Sequence, residues 1–220
     1  VGVALFDLDR TLIDVNSATS WIRHERKDGR LSFTDSLRGA YWILRYQLGY
    51  AEGVEKIYET AVAMLEGQAE AELDARTRAW FAEQIAPRLR PGAAAALDAH
   101  RVAGDRLVLA TSSSTYAARE AQRTWGFDDI VATSFEVVDG CFTGKVARMA
   151  YGDHKLARVA EWATSTGADL DGAAFYTDSI TDRALLERVG RPVAVNPDGK
   201  LRRLAAERGW TVVDWGRAAP

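Results

Sequence analysis

Two aspartates two positions apart, Asp7 and Asp9, close the apolar run Val1 to Phe6, and Thr11 follows them. In extended backbone, residues two apart point the same way, so both carboxylates can face one pocket. Like charges that close repel and raise a carboxyl pKa unless a cation compensates. Oxygen ligands with no Cys or His beside them favour magnesium over zinc. An aspartate held against a metal and a phosphate can itself be a nucleophile, giving an aspartyl-phosphate.

The elements around these residues follow from pattern. A continuous apolar run such as Val1 to Phe6 reads as a strand buried on both faces, hence part of a parallel sheet. Ligands of such sheets bind at the carboxyl ends of the strands. Three strand patterns end in reactive side chains: the first in Asp7 and Asp9, Leu107 to Ala110 in Thr111 and Ser112, and Ala173 to Tyr176 in Asp178, with Asp182 beyond. Lys155 opens the helix before the last of these. Thr111, Ser112 and the backbone N–H groups after them can bind phosphate oxygens at a helix N-terminus, and Lys155 can add a fixed positive charge. Asp178, with Asp7 and the carbonyl of Asp9, can complete a magnesium shell.

The period changes after Thr11. Ser17 reads as a helix N-cap, and Ser32 as a second. Leu37, Tyr41, Leu44 and Leu48 form a helical stripe ended by Gly49; Val54 to Leu65 and Leu73 to Ile85 give further helical faces. Residues 16–88 carry no strand signal. Beyond Pro91, strands and helices alternate, with a hairpin around Asp139-Gly140. The fold class predicted is α/β: a doubly wound, Rossmann-like parallel sheet from residues 1–15 and 89–220, with a helical insertion at 16–88 and a small β-hairpin.

Composition limits the function classes. The 220 residues carry a formal net charge of −3, with 27% charged residues, so no basic field for nucleic acid is present. The longest apolar candidate for a membrane span, Ala40 to Leu48, is broken by Arg45, and the N-terminal run lacks the basic lead of a signal peptide. The single cysteine, Cys141, fits a reducing, cytoplasmic setting. The partner expected is a small phosphorylated metabolite, with neither nucleic acid nor membrane. Oligomeric state is not readable.

These motifs, Asp7-Leu-Asp9-Arg-Thr11, Leu109-Ala-Thr111-Ser112-Ser113, Lys155 and Tyr176-Thr-Asp178-Ser-Ile-Thr-Asp182, resemble those of the haloacid dehalogenase superfamily of phosphohydrolases. Phe135 to Gly144, Asn196-Pro-Asp198 and a helical insertion after the first motif look like its phosphoserine phosphatase-like branch. The resemblance implies a Mg2+-dependent phosphatase in which Asp7 attacks phosphorus and Asp9 protonates the leaving oxygen, then activates water. It implies a cap at 16–88 that closes over the substrate, and makes Asp182 an indirect metal partner. Phosphoserine phosphatases carry a glutamate nine residues after the nucleophile, where this chain has Asn16. Ser112-Ser113 replaces their Gly-Gly, and Thr181 replaces an Asn. Asn16 and Ser113 are therefore expected at the substrate, and phosphoserine is disfavoured. Trp21, Arg23, His24, Arg38, Tyr41, Trp42, Arg45 and Tyr46 are candidates to line the cap. His100, His154 and Cys141 are expected to have no catalytic role. A phosphotransferase of the same superfamily and a phosphoryl-accepting receiver module are the alternatives.

Overall fold

The computed structural model describes residues 1–30 and 54–218. Seven strands lie in the order β4-β3-β2-β1-β5-β6-β7. They are β1 (Val3–Phe6), β2 (Arg106–Ser114), β3 (Asp129–Val138), β4 (Cys141–Arg148), β5 (Ala174–Thr177), β6 (Arg191–Val195) and β7 (Thr211–Val213). Every pairing is parallel except β3 with β4. The strand order therefore reverses at β1, which lies between β2 and β5. That switch point is where a parallel sheet leaves a crevice for ligands.

The central strands β1, β2 and β5 are buried on both sides, as the apolar runs predict. Ala4 and Phe6 join Leu107 and Leu109 on one face, against α4 (Pro91–Ala103) and α5 (Thr115–Trp125). Val3 and Leu5 join Val108 and Phe175 on the other, against α6 (Asp153–Thr166), α7 (Arg183–Arg188) and α8 (Gly199–Arg208). Phe6 is fully buried, stacking on Tyr176 at 4.8 Å between ring centroids. Burial of such a side chain stabilises the fold by roughly 1.5–3 kcal/mol.

Between β1 and β2 lie α1 (Ser17–Lys27), α2 (Val54–Ala63) and α3 (Glu70–Trp80). The expected Ser32 cap and the helix over 37–48 fall outside the described residues, as do Arg38, Tyr41, Trp42, Arg45 and Tyr46. Asn16, not Ser17, caps α1: its side-chain oxygen accepts from the Thr19 N–H at 2.9 Å. The Ser17 N–H is instead taken by Asp9, one residue inside the helix. Trp21 packs on Trp80 at 5.2 Å, and Trp80, Phe81 and Ile85 belong to the same buried cluster as Phe6 and Leu109.

The apolar run Ile130-Val131-Ala132 reads as a short strand separate from the hairpin around Asp139-Gly140, but the two form one element. β3 runs unbroken from Asp129 to Val138, leaving its parallel partner β2 and pairing antiparallel with β4. The connecting turn places Asp139 and Gly140 at φ 52° and 77°, the left-handed geometry that a two-residue hairpin needs. The hairpin is stitched to the inserted segment by Gly67 N–H to the Phe142 carbonyl (2.9 Å) and Phe142 N–H to the Gln68 carbonyl (3.0 Å).

Candidate active site

Asp7 is the first residue beyond β1. Its N–H donates to the Tyr176 carbonyl at 2.9 Å, which extends the β1–β5 pairing to the strand end. The chain then makes a wide turn over Leu8–Leu12, with Asp9 extended and Arg10 at φ 58°. The turn folds Thr11 back beneath Asp7. The Thr11 hydroxyl lies 3.5 Å from Asp7 Oδ2 and 3.4 Å from Asp178 Oδ1, and accepts from the Asp178 N–H at 2.9 Å. One hydroxyl thus ties the ends of β1 and β5.

Lys155, in the first turn of α6, is only 2% exposed. Its ammonium is 3.0 Å from Asp7 Oδ1 and 2.7 Å from Asp182 Oδ1. Thr177 also donates to Asp182 at 2.7 Å. Asp182 is therefore a second counterion of Lys155. Burial disfavours the ammonium, but Asp182 and Asp7 outweigh burial and hold the Lys155 pKa above its usual value.

The carboxylates are under-neutralised. Burial pushes Asp7 up to about 7; Lys155 opposes the shift, and Asp182 and Asp9 add to it. Burial first, then Asp7 and Asp182, hold Asp178 well above the ordinary carboxylate range. Asp9 is also raised by burial, against hydrogen bonds from Ser17 and Ser113. One ammonium thus serves several converging acids. Among the described residues, no cluster of three or more His, Cys, Asp or Glu side chains is placed to hold a metal by itself. The oxygen donors that converge are the Asp7 and Asp178 carboxylates. Few protein oxygens, no nitrogen or sulfur, and surplus negative charge fit a hydrated Mg2+, which keeps several waters, and no softer ion.

The end of β2 supplies the third side. Thr111 is fully buried, and its hydroxyl oxygen accepts from the Ser113 N–H at 3.1 Å. The Ser112 carbonyl accepts from Thr133 at 2.9 Å and from Tyr58 of α2 at 3.0 Å. Ser114 caps α5 through the Ala117 N–H, so a helix N-terminus starts beside this loop. Ser113, expected at the substrate, points its hydroxyl at Asp9 Oδ2, 2.8 Å away. Asn16, expected there too, spends its side-chain oxygen on Thr19, whose N–H and hydroxyl both donate to it at 2.9 Å.

Sequence reasoning missed Ser17 and Tyr58. Ser17 donates to Asp9 Oδ2 at 3.0 Å; Tyr58 brings the inserted segment to the β2 loop. A hydroxyl eight residues after Asp9 was a signal for the first, misread as a helix cap. Nothing in the helical periodicity marks the second. His100 is bonded to Asp105 (2.6 Å) and to Tyr176 (2.9 Å), and Cys141 is exposed on the hairpin.

The family model for haloacid dehalogenase-like hydrolases matches residues 4–187, from β1 through most of α7. The chain belongs to that family. As a haloacid dehalogenase-like protein it is a phosphoric monoester hydrolase, and its relatives include proteins named as phosphatases. It is 36% identical to an inhibition of morphological differentiation protein from Streptomyces azureus, over 97% of this chain and 78% of the relative. It is 29% identical to a histidinol-phosphatase from Neisseria meningitidis, over 97% and 99%, and 33% identical to a phosphoserine phosphatase from Mycobacterium tuberculosis, over 97% and 71%. A Bordetella pertussis protein of unknown function has the same fold at TM-score 0.88 and 31% identity, covering 97% of this chain and 98% of that one. A phosphoserine phosphatase shares the fold at TM-score 0.70 and 17% identity, over 98% and 94%. Among the described residues, no helix is long and apolar enough to cross a membrane.

Proposed function

We propose that the chain is a Mg2+-dependent phosphatase of small phosphomonoesters, working through an aspartyl-phosphate on Asp7, with a substrate other than phosphoserine. The observation that carries this reading is the Lys155 ammonium between Asp7 and Asp182, which fixes one Asp7 oxygen at the switch-point crevice. Residues 1–15 and 89–220 form the core in this reading, and 16–88 the cap. The exposed Cys141 suits a reducing, cytoplasmic setting.

The phosphoryl group binds with its oxygens toward Lys155 and the Thr111–Ser112 stretch at the end of β2, before the start of α5. Asp7 and Asp178 would hold Mg2+, whose charge would offset that of the phosphate and the carboxylates. An Asp7 oxygen forms a bond to phosphorus as the bond from phosphorus to the ester oxygen breaks. Asp9 gives its proton to that departing oxygen. In the second half, Asp9 takes a proton from water, the water oxygen bonds to phosphorus, and the bond to Asp7 breaks. Phosphate leaves, with Asp7 and the protonated Asp9 restored. Burial suits Asp9 to this work, because it raises a carboxyl toward the pH at which it can both give and take a proton.

Relatives of comparable identity carry different substrate names, histidinol phosphate and phosphoserine. Against phosphoserine stands Asn16, whose side-chain oxygen is occupied by Thr19 and cannot take the part of an ammonium-binding carboxylate. The test is phosphate release from a panel of phosphorylated amino alcohols, sugars and cyclitols, with Mg2+ and with a chelator. The reading expects Mg2+-dependent turnover that favours a substrate other than phosphoserine. Selective phosphoserine hydrolysis, or turnover indifferent to chelation, contradicts it.

A further inference from the structure

Asp9 is held from two directions. Its Oδ1 accepts the Ser17 N–H at the start of α1. Its Oδ2 lies 3.0 Å from the Ser17 hydroxyl and 2.8 Å from the Ser113 hydroxyl, and the two hydroxyls are 3.0 Å apart. Ser17 is 3% exposed, so water does not compete for its contacts. A carboxylate offers about four acceptor positions. With both hydroxyls donating to Oδ2 and the N–H to Oδ1, three are filled. The remaining position is on Oδ1, so the proton Asp9 carries has one place to sit and one direction to leave.

We propose that Ser17 and Ser113 are positioning residues for proton transfer by Asp9: together they fix the carboxyl rotamer and confine its mobile proton to Oδ1. The proposal rests on Asp9 being the general acid of the reaction above. Ser17 comes from the inserted segment and Ser113 from the end of β2, so the acid is aligned only when both are in place. Neither hydroxyl needs to touch the substrate. Proximity and alignment carry much of the value of a general acid, so a carboxyl free to rotate loses rate without losing its chemistry.

Leaving-group dependence separates this role from a structural one. Phenyl phosphate and p-nitrophenyl phosphate have similar size, but phenolate needs a proton to depart far more than p-nitrophenolate does. The measurement is release of the two phenols in the first turnover, with Mg2+ present, which reports transfer to the enzyme and not the later attack of water. Ser17→Ala, Ser113→Ala and the double variant are each compared with the unaltered protein. The double variant is expected to slow phenol release about tenfold or more, and p-nitrophenol release by less than about twofold. Equal slowing of both esters, or no slowing of either, overturns the proposal. Asp9→Asn is the control for the underlying reading: a larger, equally selective loss supports Asp9 as the acid, and an unselective loss contradicts that reading whatever the serine variants do. Thermal unfolding of each variant identifies any loss that is merely of fold, and either single variant serves if the other fails to fold.

Discussion

The Lys155 ammonium lies 3.0 Å from Asp7 Oδ1, although 148 residues separate them. The same ammonium is 2.7 Å from Asp182 Oδ1. A single buried cation therefore sets the position of the proposed nucleophile and satisfies a second acid. Removing one partner of a buried charge cluster leaves the others desolvated and unpaired. Lys155→Met keeps the length and removes the charge. It is expected to destabilise the fold by about 3–5 kcal/mol at neutral pH, measured by urea unfolding, and to abolish turnover.

Metal and pH should act together. Burial raises the Asp7 pKa from 3.8 to about 7, so the folded protein binds more protons than the unfolded chain between those values. Stability from this group is present below the unfolded pKa and is lost as pH rises toward the folded one. Asp9 and Asp178 shift in the same direction. Metal-free protein should thus lose stability between about pH 4 and pH 7 relative to Asp7→Asn, which lacks the titrating group. Mg2+ should restore stability at neutral pH, by about 2.7 kcal/mol at a hundredfold excess over its dissociation constant. Thermal unfolding across pH, with Mg2+ and with chelator, checks both; a metal-free curve that Asp7→Asn does not alter counts against the charge excess at Asp7.

Tyr58 offers a test of the inserted segment. Its hydroxyl donates to the Ser112 carbonyl, and burial pushes its pKa up to about 12, so it remains a donor at assay pH. Thr133 also bonds that carbonyl, so Tyr58→Phe does not orphan it. The loss is expected to be about 1 kcal/mol, read as a several-fold fall in kcat/KM with little change in melting temperature. An unchanged kcat/KM would mean that this contact plays no part in closing the site.

Buried His100 bridges the half-buried Asp105 and Tyr176, yet this chain lies outside the phosphoryl site. His100 Nε2 is 2.9 Å from the Tyr176 hydroxyl and its Nδ1 is 2.6 Å from Asp105. Tyr176→Phe is expected to cost about 1–2 kcal/mol in urea unfolding and leave kcat unchanged. A large fall in kcat would give this chain a part in the reaction.

The sequence made the fold and the reactive strand ends legible because both depend on local pattern. Buried strands read as apolar runs; Asp7 and Asp178 stand just beyond their ends, while β2 continues past Thr111 to Ser114. Lys155 was legible only as a residue at a helix start; its sharing by Asp7 and Asp182 is a tertiary fact. The contacts of Ser17 and Ser113 with Asp9 are not legible in the sequence for a related reason. Their bonds to Asp9 depend on the turn through Arg10 at positive φ, which no spacing rule specifies. β3 reads as two strands in the sequence because its apolar character stops where it leaves β2, although the backbone continues into the hairpin. Helical periodicity marked the face of α3 but not its partner, and Trp80 packs on the core cluster.

The central claim is covalent, so trapping the phosphoryl-enzyme tests it most directly. The protein would be mixed with p-nitrophenyl phosphate and Mg2+, acid-quenched within the first turnover, reduced with borohydride and mapped by mass spectrometry. The account expects the modified residue to be Asp7, with no modification in Asp7→Asn. A phosphoryl group on any other residue, or full turnover by Asp7→Asn, would contradict it.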